Sequence, residues 1–234
     1  MSPAGRGSRG ARRRMHVRVR TARGRRLSST RWLERQLNDP YVSEARRLGY
    51  RSRAAFKLIE LDEKFGLLKG VRAVVDLGAA PGGWTQVLVE RLGGSARILA
   101  VDIAAFEPIS GAECLQLDFL QPHAPARVAG ALGGFADLVL SDMAAPTTGH
   151  RQTDHLRTMA LCEAAFAFAC DVLAPGGSLV AKVLEGGTSG HLLAEMKRRF
   201  RKVRHAKPPA SRPESVEWYV VAQGFLGRDA AASP

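Results

Sequence analysis

The stretch Val74-Val75-Asp76-Leu77-Gly78-Ala79-Ala80-Pro81-Gly82-Gly83-Trp84 runs from an apolar segment through a glycine turn into a helical pattern. Such a turn lies where a parallel sheet presents a nucleotide, outside the C-terminal ends of its strands. Ala80 and Pro81 interrupt the G-x-G-x-x-G spacing, so the turn is not built around a pyrophosphate. Carboxylates appear instead. Asp76 ends the first apolar run, where it would meet a cationic or hydrogen-bond-donating group. Asp102 ends the next run, 19 residues after Gly83, where a carboxylate accepts from ribose hydroxyls. Asp118 closes Cys114-Leu115-Gln116-Leu117-Asp118 and is placed to accept from an adenine amino group. Taken singly, each acid is better explained as a cap on the helix that follows. Taken with the glycine loop, the three suit an adenosine joined to a charged amino acid, which is S-adenosylmethionine. Gly78, Gly82, Gly83 and Trp84 belong to the same candidate cofactor-binding set, with Trp84 also suited to pack the start of the helix.

These groups need a scaffold, and the chain offers one. Segments 71–77, 96–102, 136–141, 178–183 and 216–223 are short apolar runs bounded by turn residues and read as buried strands. Longer Ala- and Leu-rich segments at 84–92, 155–173 and 192–200 lie between several of them. Ala174-Pro175-Gly176-Gly177 is a helix stop followed by a strand start. Strands alternating with helices predict a doubly wound α/β fold, a mainly parallel sheet with helices on both faces. Ahead of the sheet, residues 30–65 are helical, broken at Asn38-Asp39-Pro40, with Ala55, Phe56, Leu58, Ile59 and Leu61 as an apolar face.

Composition narrows the function class. The 234 residues carry a net charge of +13, and the first 30 hold 10 arginines and no acid, leaving +3 for the rest. That leader, with Gly, Ser and Ala between its arginines, cannot build a core and reads as a disordered cationic arm with phosphate affinity. An organellar transit peptide has the same composition. No run of 18 apolar residues occurs, which excludes a membrane helix. Cys114, Cys162 and Cys170 form neither a disulfide framework nor a zinc site, which fits a reducing compartment. His150 and His155 are not in H-E-x-x-H spacing and no metal is expected; Ser141 is in no G-x-S-x-G elbow, so a hydrolase is excluded.

Three separated motifs carry a resemblance: Asp76 to Trp84 as quoted above, Ser141-Asp142-Met143-Ala144, and Leu173-Ala174-Pro175-Gly176-Gly177. In this order they resemble the FtsJ/RrmJ (RlmE) family. The resemblance runs from about residue 28 to 225 and includes Tyr41-Val42, Arg51-Ser52-Arg53-Ala54 and Phe56-Lys57-Leu58. It implies a Rossmann-like S-adenosylmethionine-dependent methyltransferase fold with a seven-stranded sheet, spanning residues 30–226 between the arm at 1–29 and a disordered tail at 227–234. It also implies ribose 2′-O-methylation of a uridine in the A-loop of 23S rRNA on the large ribosomal subunit, leaving S-adenosylhomocysteine. The loop Met143-Ala144-Ala145-Pro146 departs from the family's Met-Ala-Pro-Asn by one extra Ala.

The family's Lys–Asp–Lys–Glu set falls, by resemblance, on Lys57, Asp142, Lys182 and Glu217, with Asp142 also beside the methyl donor. A ribose hydroxyl is a poor nucleophile at neutral pH and needs a base or strong orientation. Arginine cannot supply the base, whereas a desolvated lysine near another cation can; this chain has only seven lysines against 28 arginines. Lys182 is expected to deprotonate or orient the 2′-hydroxyl, with Lys57 lowering its pKa, Asp142 positioning it and Glu217 holding the two lysines in register. Arg31, Arg46, Arg47, Arg51 and Arg53 would line the RNA approach, and the run from Lys197 to Arg204 is equally a solvated helix end or an RNA surface. A monomer in the cytoplasm accounts for the pattern. Three alternatives stand beside it: a non-catalytic ribosome-assembly factor, a small-molecule methyltransferase, and a mitochondrial rRNA 2′-O-methyltransferase.

Overall fold

Apolar runs punctuated by Gly and Pro become strands and helices in the computed structural model, which describes residues 27–146, 148–186 and 188–228. The arginine-rich leader, apart from its last few residues, and positions 229–234 of the tail lie outside those residues. Helices α1 (Leu27–Asn38), α2 (Pro40–Leu48) and α3 (Ala54–Phe65) come first. The break between the first two has a local cause. Asp39 Oδ1 accepts from the Tyr41 N–H at 3.0 Å, and Pro40 occupies the first turn, where its missing donor is not needed.

The remaining chain alternates: β1 (Ala73–Leu77), α4 (Gly83–Leu92), β2 (Arg97–Asp102), β3 (Glu113–Gln116), α5 (Ala124–Leu132), β4 (Ala136–Ser141), α6 (Arg151–Val172), β5 (Leu173–Leu184), α7 (Gly190–Arg199), β6 (Phe200–Ala206) and β7 (Glu217–Phe225). The seven strands form one sheet in the order β3-β2-β1-β4-β5-β7-β6. Pairings are parallel from β3 to β5, while β7 runs antiparallel to both β5 and β6. Strand order reverses between β1 and β4, and a crevice for a ligand opens at such a point.

Side chains alternate across the sheet with period two. Val75, Leu77, Val139, Leu179 and Ala181 pack with Val128, Phe168 and Met196 of α5, α6 and α7. Val74, Leu138, Leu140, Val180 and Val221 pack on the other face with Leu58 of α3 and Leu88 of α4. Continuing the second series to the strand ends gives Asp76, Asp142, Lys182 and Tyr219. One alternation therefore brings four polar side chains to the face that α3 covers, and α3 carries Lys57.

Helix α5 lies outside the sequence expectation, α6 begins at Arg151 rather than 155, and two strands also differ from that expectation. Strand β5 starts at Leu173 rather than 178, because Ala136 pairs with Leu173 and Leu138 with Ser178, looping residues 174–177 out of the register. The basic run also divides: Lys197, Arg198 and Arg199 finish α7, whereas Arg201, Lys202 and Arg204 are exposed on the edge strand β6. Charges on an edge strand discourage pairing with another chain, and they hide the strand from a hydrophobicity reading. Among the described residues no helix is long and apolar enough to cross a membrane.

Candidate active site

Four charged side chains from four elements meet above the C-terminal ends of β4 and β5. Lys182 Nζ donates to the main-chain oxygen of Asp142 at 2.8 Å and lies 2.9 Å from Asp142 Oδ1 and 3.4 Å from Glu217 Oε1. Lys57 Nζ donates to Glu217 Oε2 at 3.0 Å and lies 3.7 Å from Asp142 Oδ1. Both lysines are 6% exposed, so each needs its carboxylates close by. The register explains the meeting, since Lys182 pairs with Tyr219 and Leu184 with Glu217 across β5 and β7.

The charge balance sets the protonation states. Burial alone would lower the Lys182 pKa, yet Asp142 and Glu217 outweigh it and hold the ammonium above its ordinary value. A close opposite charge near a protein surface contributes about 4 kcal/mol, and two of them exceed one side chain's desolvation. The expectation of a lowered Lys182 pKa is therefore corrected: the two carboxylates at 2.9 and 3.4 Å set the net direction upward. Glu217 is pulled the other way. Its burial favours the neutral acid, but Lys182 and Lys57 bring its pKa down to about 2.

Sequence reasoning missed Tyr219. It is fully buried, donates its hydroxyl to Asp142 Oδ1, and has its ring 5.8 Å from Lys57 Nζ and 5.7 Å from Trp84. Burial and the adjacent Asp142 and Glu217 charges push its pKa well above the ordinary phenol value, so it remains a donor. Counting two residues on from Glu217 in the strand would have found it.

A cleft of about 790 Å³ opens beside the cluster. Gly78, Asp102, Asp118 and Asp142 line it, with Ile103, Leu117, Phe119, Leu120 and Met143 as apolar walls. Apolar walls between separated carboxylates fit a nucleoside-sized ligand bearing hydroxyl, amino and cationic groups. Gly78 sits at φ +70°, and a Cβ there would come within 2.2 Å of the Met143 side chain, so a larger residue would close the cleft floor. Asp102 and Asp118 cap no helix, since β3 follows β2 and His123 caps α5, but each also holds its own turn. Asp102 accepts from Ala80 N–H at 2.9 Å and Ala104 N–H at 2.8 Å, and Asp118 accepts from Leu120 N–H at 3.0 Å.

Asp76, Gly82, Gly83 and Trp84 lie behind the cleft wall rather than on it. Asp76 is 1% exposed and accepts from Thr85 Oγ1 at 2.7 Å. Its burial, despite that hydrogen bond and with help from Asp142 and Asp102, raises its pKa to about 7. Trp84 Nε1 donates to the Ala54 carbonyl at 2.7 Å, joining α4 to α3. A Cβ at Gly83 would meet Ser52 Oγ at 2.2 Å, so that glycine serves the same close approach. Among the basic residues ahead of the sheet, Arg51 donates to the carbonyls of Pro81, Glu107 and Pro108 and braces the glycine loop.

A second cleft of about 690 Å³ shares Ala144 and Ala145 with the first and is lined by His155, Thr158, Glu185 and Glu217. Asp142 lines the first cleft and Glu217 the second, so the charged cluster touches both.

The sequence matches the FtsJ-like methyltransferase family over residues 50–225. The chain belongs to that family. Proteins called ribosomal RNA large subunit methyltransferase E are similar over nearly their whole length. The one from Rhizorhabdus wittichii is 60% identical, with 99% of this chain and 98% of that protein covered. The one from Rhodospirillum rubrum is 63% identical, with 91% and 82% covered. Among solved structures, a ribosomal RNA methyltransferase from Plasmodium falciparum superposes with a TM-score of 0.69 at 32% identity, covering 76% of this chain and all of that one. This FtsJ-like member is an enzyme of the methyltransferase class, and its seven-stranded, mainly parallel sheet is the one its sequence implied.

Proposed function

We propose that this methyltransferase uses S-adenosylmethionine to methylate a ribose 2′-hydroxyl of 23S rRNA in the large ribosomal subunit, on a uridine of the A-loop. The observation that carries the reading is the Lys57–Asp142–Lys182–Glu217 cluster, two buried lysines held by two half-buried carboxylates that line the clefts. The names of the relatives at 60% and 63% identity support the substrate. A non-catalytic assembly factor would gain nothing from two lysines buried at this cost. The bacterial origin of those relatives favours the cytoplasm over a mitochondrion, and nothing in the site calls for more than a monomer.

When bound, the cofactor supplies an electrophilic methyl group on a positively charged sulfur. Asp102 and Asp118 would hold its adenosine part, and Asp142 would face its cationic end. Lys182 Nζ orients the acceptor oxygen by hydrogen bonding and takes the hydroxyl proton in the fraction of molecules where it is neutral. Lys57 stabilises the negative charge that develops on that oxygen. Asp142 and Glu217 fix both lysines, and Tyr219 fixes Asp142. Holding the two reactants in line contributes several kcal/mol of barrier reduction, on the order of that seen for well-oriented intramolecular reactions.

The test is transfer of labelled methyl from S-adenosylmethionine to large subunits that lack their own ribose methylation, followed by nuclease mapping. Free 23S rRNA, small subunits and small-molecule acceptors serve as comparisons. Label on a single 2′-oxygen of the large subunit is expected. Label confined to small molecules would contradict the reading.

A further inference from the structure

A third cleft, of about 930 Å³, lies between the α1–α2 junction and the loop that leads into β7. Its walls are tied together. Arg53 Nε and Arg212 Nε each lie 3.1 Å from Asp39 Oδ2, which is buried. Glu60 accepts from Tyr41 Oη–H at 3.0 Å and from the Ala210 N–H at 2.6 Å. Lys207 Nζ donates to the Pro213 and Ser215 carbonyls at 3.1 and 2.7 Å, closing the loop on itself. The shape is therefore set by contacts within the chain.

Three polar atoms in the cleft wall are buried without a hydrogen-bond partner: Ser211 Oγ, on a residue only 4% exposed, Arg212 Nη2, and Arg53 Nε, which has only its ion pair with Asp39. An orphaned buried group costs about 1–3 kcal/mol, so its retention calls for an explanation. The lining arginines Arg35, Arg53 and Arg212 are matched in number by Glu34, Asp39 and Glu214. What the cleft lacks is therefore hydrogen-bonding partners rather than negative charge. A phosphate would need surplus positive charge; a nucleobase brings carbonyl acceptors for the arginine and donors for the carboxylates. Exposed Pro40, Pro209 and Pro213 offer flat apolar faces. Proteins read single-stranded RNA through splayed bases held by stacking and edge hydrogen bonds.

Position links this cleft to the reaction. Arg53, the residue at the N-terminal cap of α3, precedes Lys57 by four residues, a rise of about 6 Å. The loop carrying Ser211 and Arg212 runs directly into Glu217 at the start of β7. We infer that this cleft takes a nucleobase of the acceptor RNA, close along the strand to the methylated ribose; the inference rests on the RNA reading above. Its occupant and the reacting ribose are held by the same two elements.

The test measures methyl transfer to large subunits at saturating S-adenosylmethionine for the wild type, Arg212→Ala and Glu214→Trp. The first variant removes the unpartnered donor together with the Arg212–Asp39 bond, leaving Arg53 to pair Asp39; the second obstructs the cleft and leaves both ion pairs intact. Both are expected to raise KM for subunits about tenfold or more, with kcat within about twofold. Wild-type KM in both folded variants would overturn the inference. Salt separates base from phosphate. The slope of log KM against log salt is expected to be unchanged in Arg212→Ala, whereas a slope smaller by about one would indicate a lost phosphate contact and overturn the inference. If the wild type itself transfers no methyl to subunits, it is the functional reading that fails.

Discussion

Lys182 Nζ bonds Asp142 twice, through the main-chain oxygen at 2.8 Å and through Oδ1 at 2.9 Å. The ammonium is thus fixed by the end of β4 as well as by its own strand, β5. The geometry that fixes the nitrogen also keeps it protonated.

A pH dependence follows from that protonation. Because the Lys182 pKa is raised, the neutral fraction grows tenfold per pH unit throughout the neutral range. Turnover at saturating donor is expected to rise with a log slope of about one from roughly pH 6.5 to 9. A flat profile measured by single-turnover methyl transfer would leave Lys182 with orientation alone.

Asp76 predicts a stability effect of opposite character to that of an ordinary paired carboxylate. Its folded pKa of about 7 lies above the ordinary carboxylate value of 3.8, so its contribution to stability is full at low pH and is lost as pH rises through 7. Asp76→Asn removes that loss. In thermal denaturation without donor, the variant should exceed the wild type by a few kcal/mol at about pH 8 and converge with it near pH 4. Parallel curves would refute the assignment.

Gly78→Ala places a Cβ at φ +70° and within 2.2 Å of Met143 Cγ on the cleft floor. The backbone strain alone costs about 1–2 kcal/mol. Calorimetric affinity for S-adenosylmethionine should fall about tenfold or more as Met143 is driven into the cleft. Unchanged affinity would remove Gly78 from the cofactor site.

Asp118→Ala tests whether a residue that caps its own turn also holds the cofactor. Loss of the Leu120 hydrogen bond should cost about 1 kcal/mol of stability. If Asp118 also accepts from the adenine amino group, donor affinity should drop about tenfold in the same variant. A stability loss with normal affinity would leave the cap alone.

The sheet was legible because apolar runs ending in Asp76, Asp102, Asp142 and Lys182 announce both the strands and their ligand-facing ends, whereas Lys57, on a helix, and Glu217, at a strand start, were reached only through the family resemblance. Strand β6 was not legible, because Arg201, Lys202 and Arg204 on an exposed edge look like a helix terminus. Tyr219 was hidden by its own burial, since an aromatic in an apolar run reads as core until the sheet register sets it beside Asp142. The sign of the Lys182 shift was also out of reach. It depends on distances to two carboxylates that only folding brings together. Asp102 and Asp118 read ambiguously between cap and ligand because they cap their turns and line the cleft at once.

The central claim is that Lys182 acts on the acceptor hydroxyl, and Lys182→Ala tests it most directly. The variant would be run beside the wild type with labelled S-adenosylmethionine and unmethylated large subunits, with donor affinity measured by calorimetry. The account predicts donor affinity close to wild type and turnover lower by about 100-fold or more. Full turnover with donor affinity retained would contradict it.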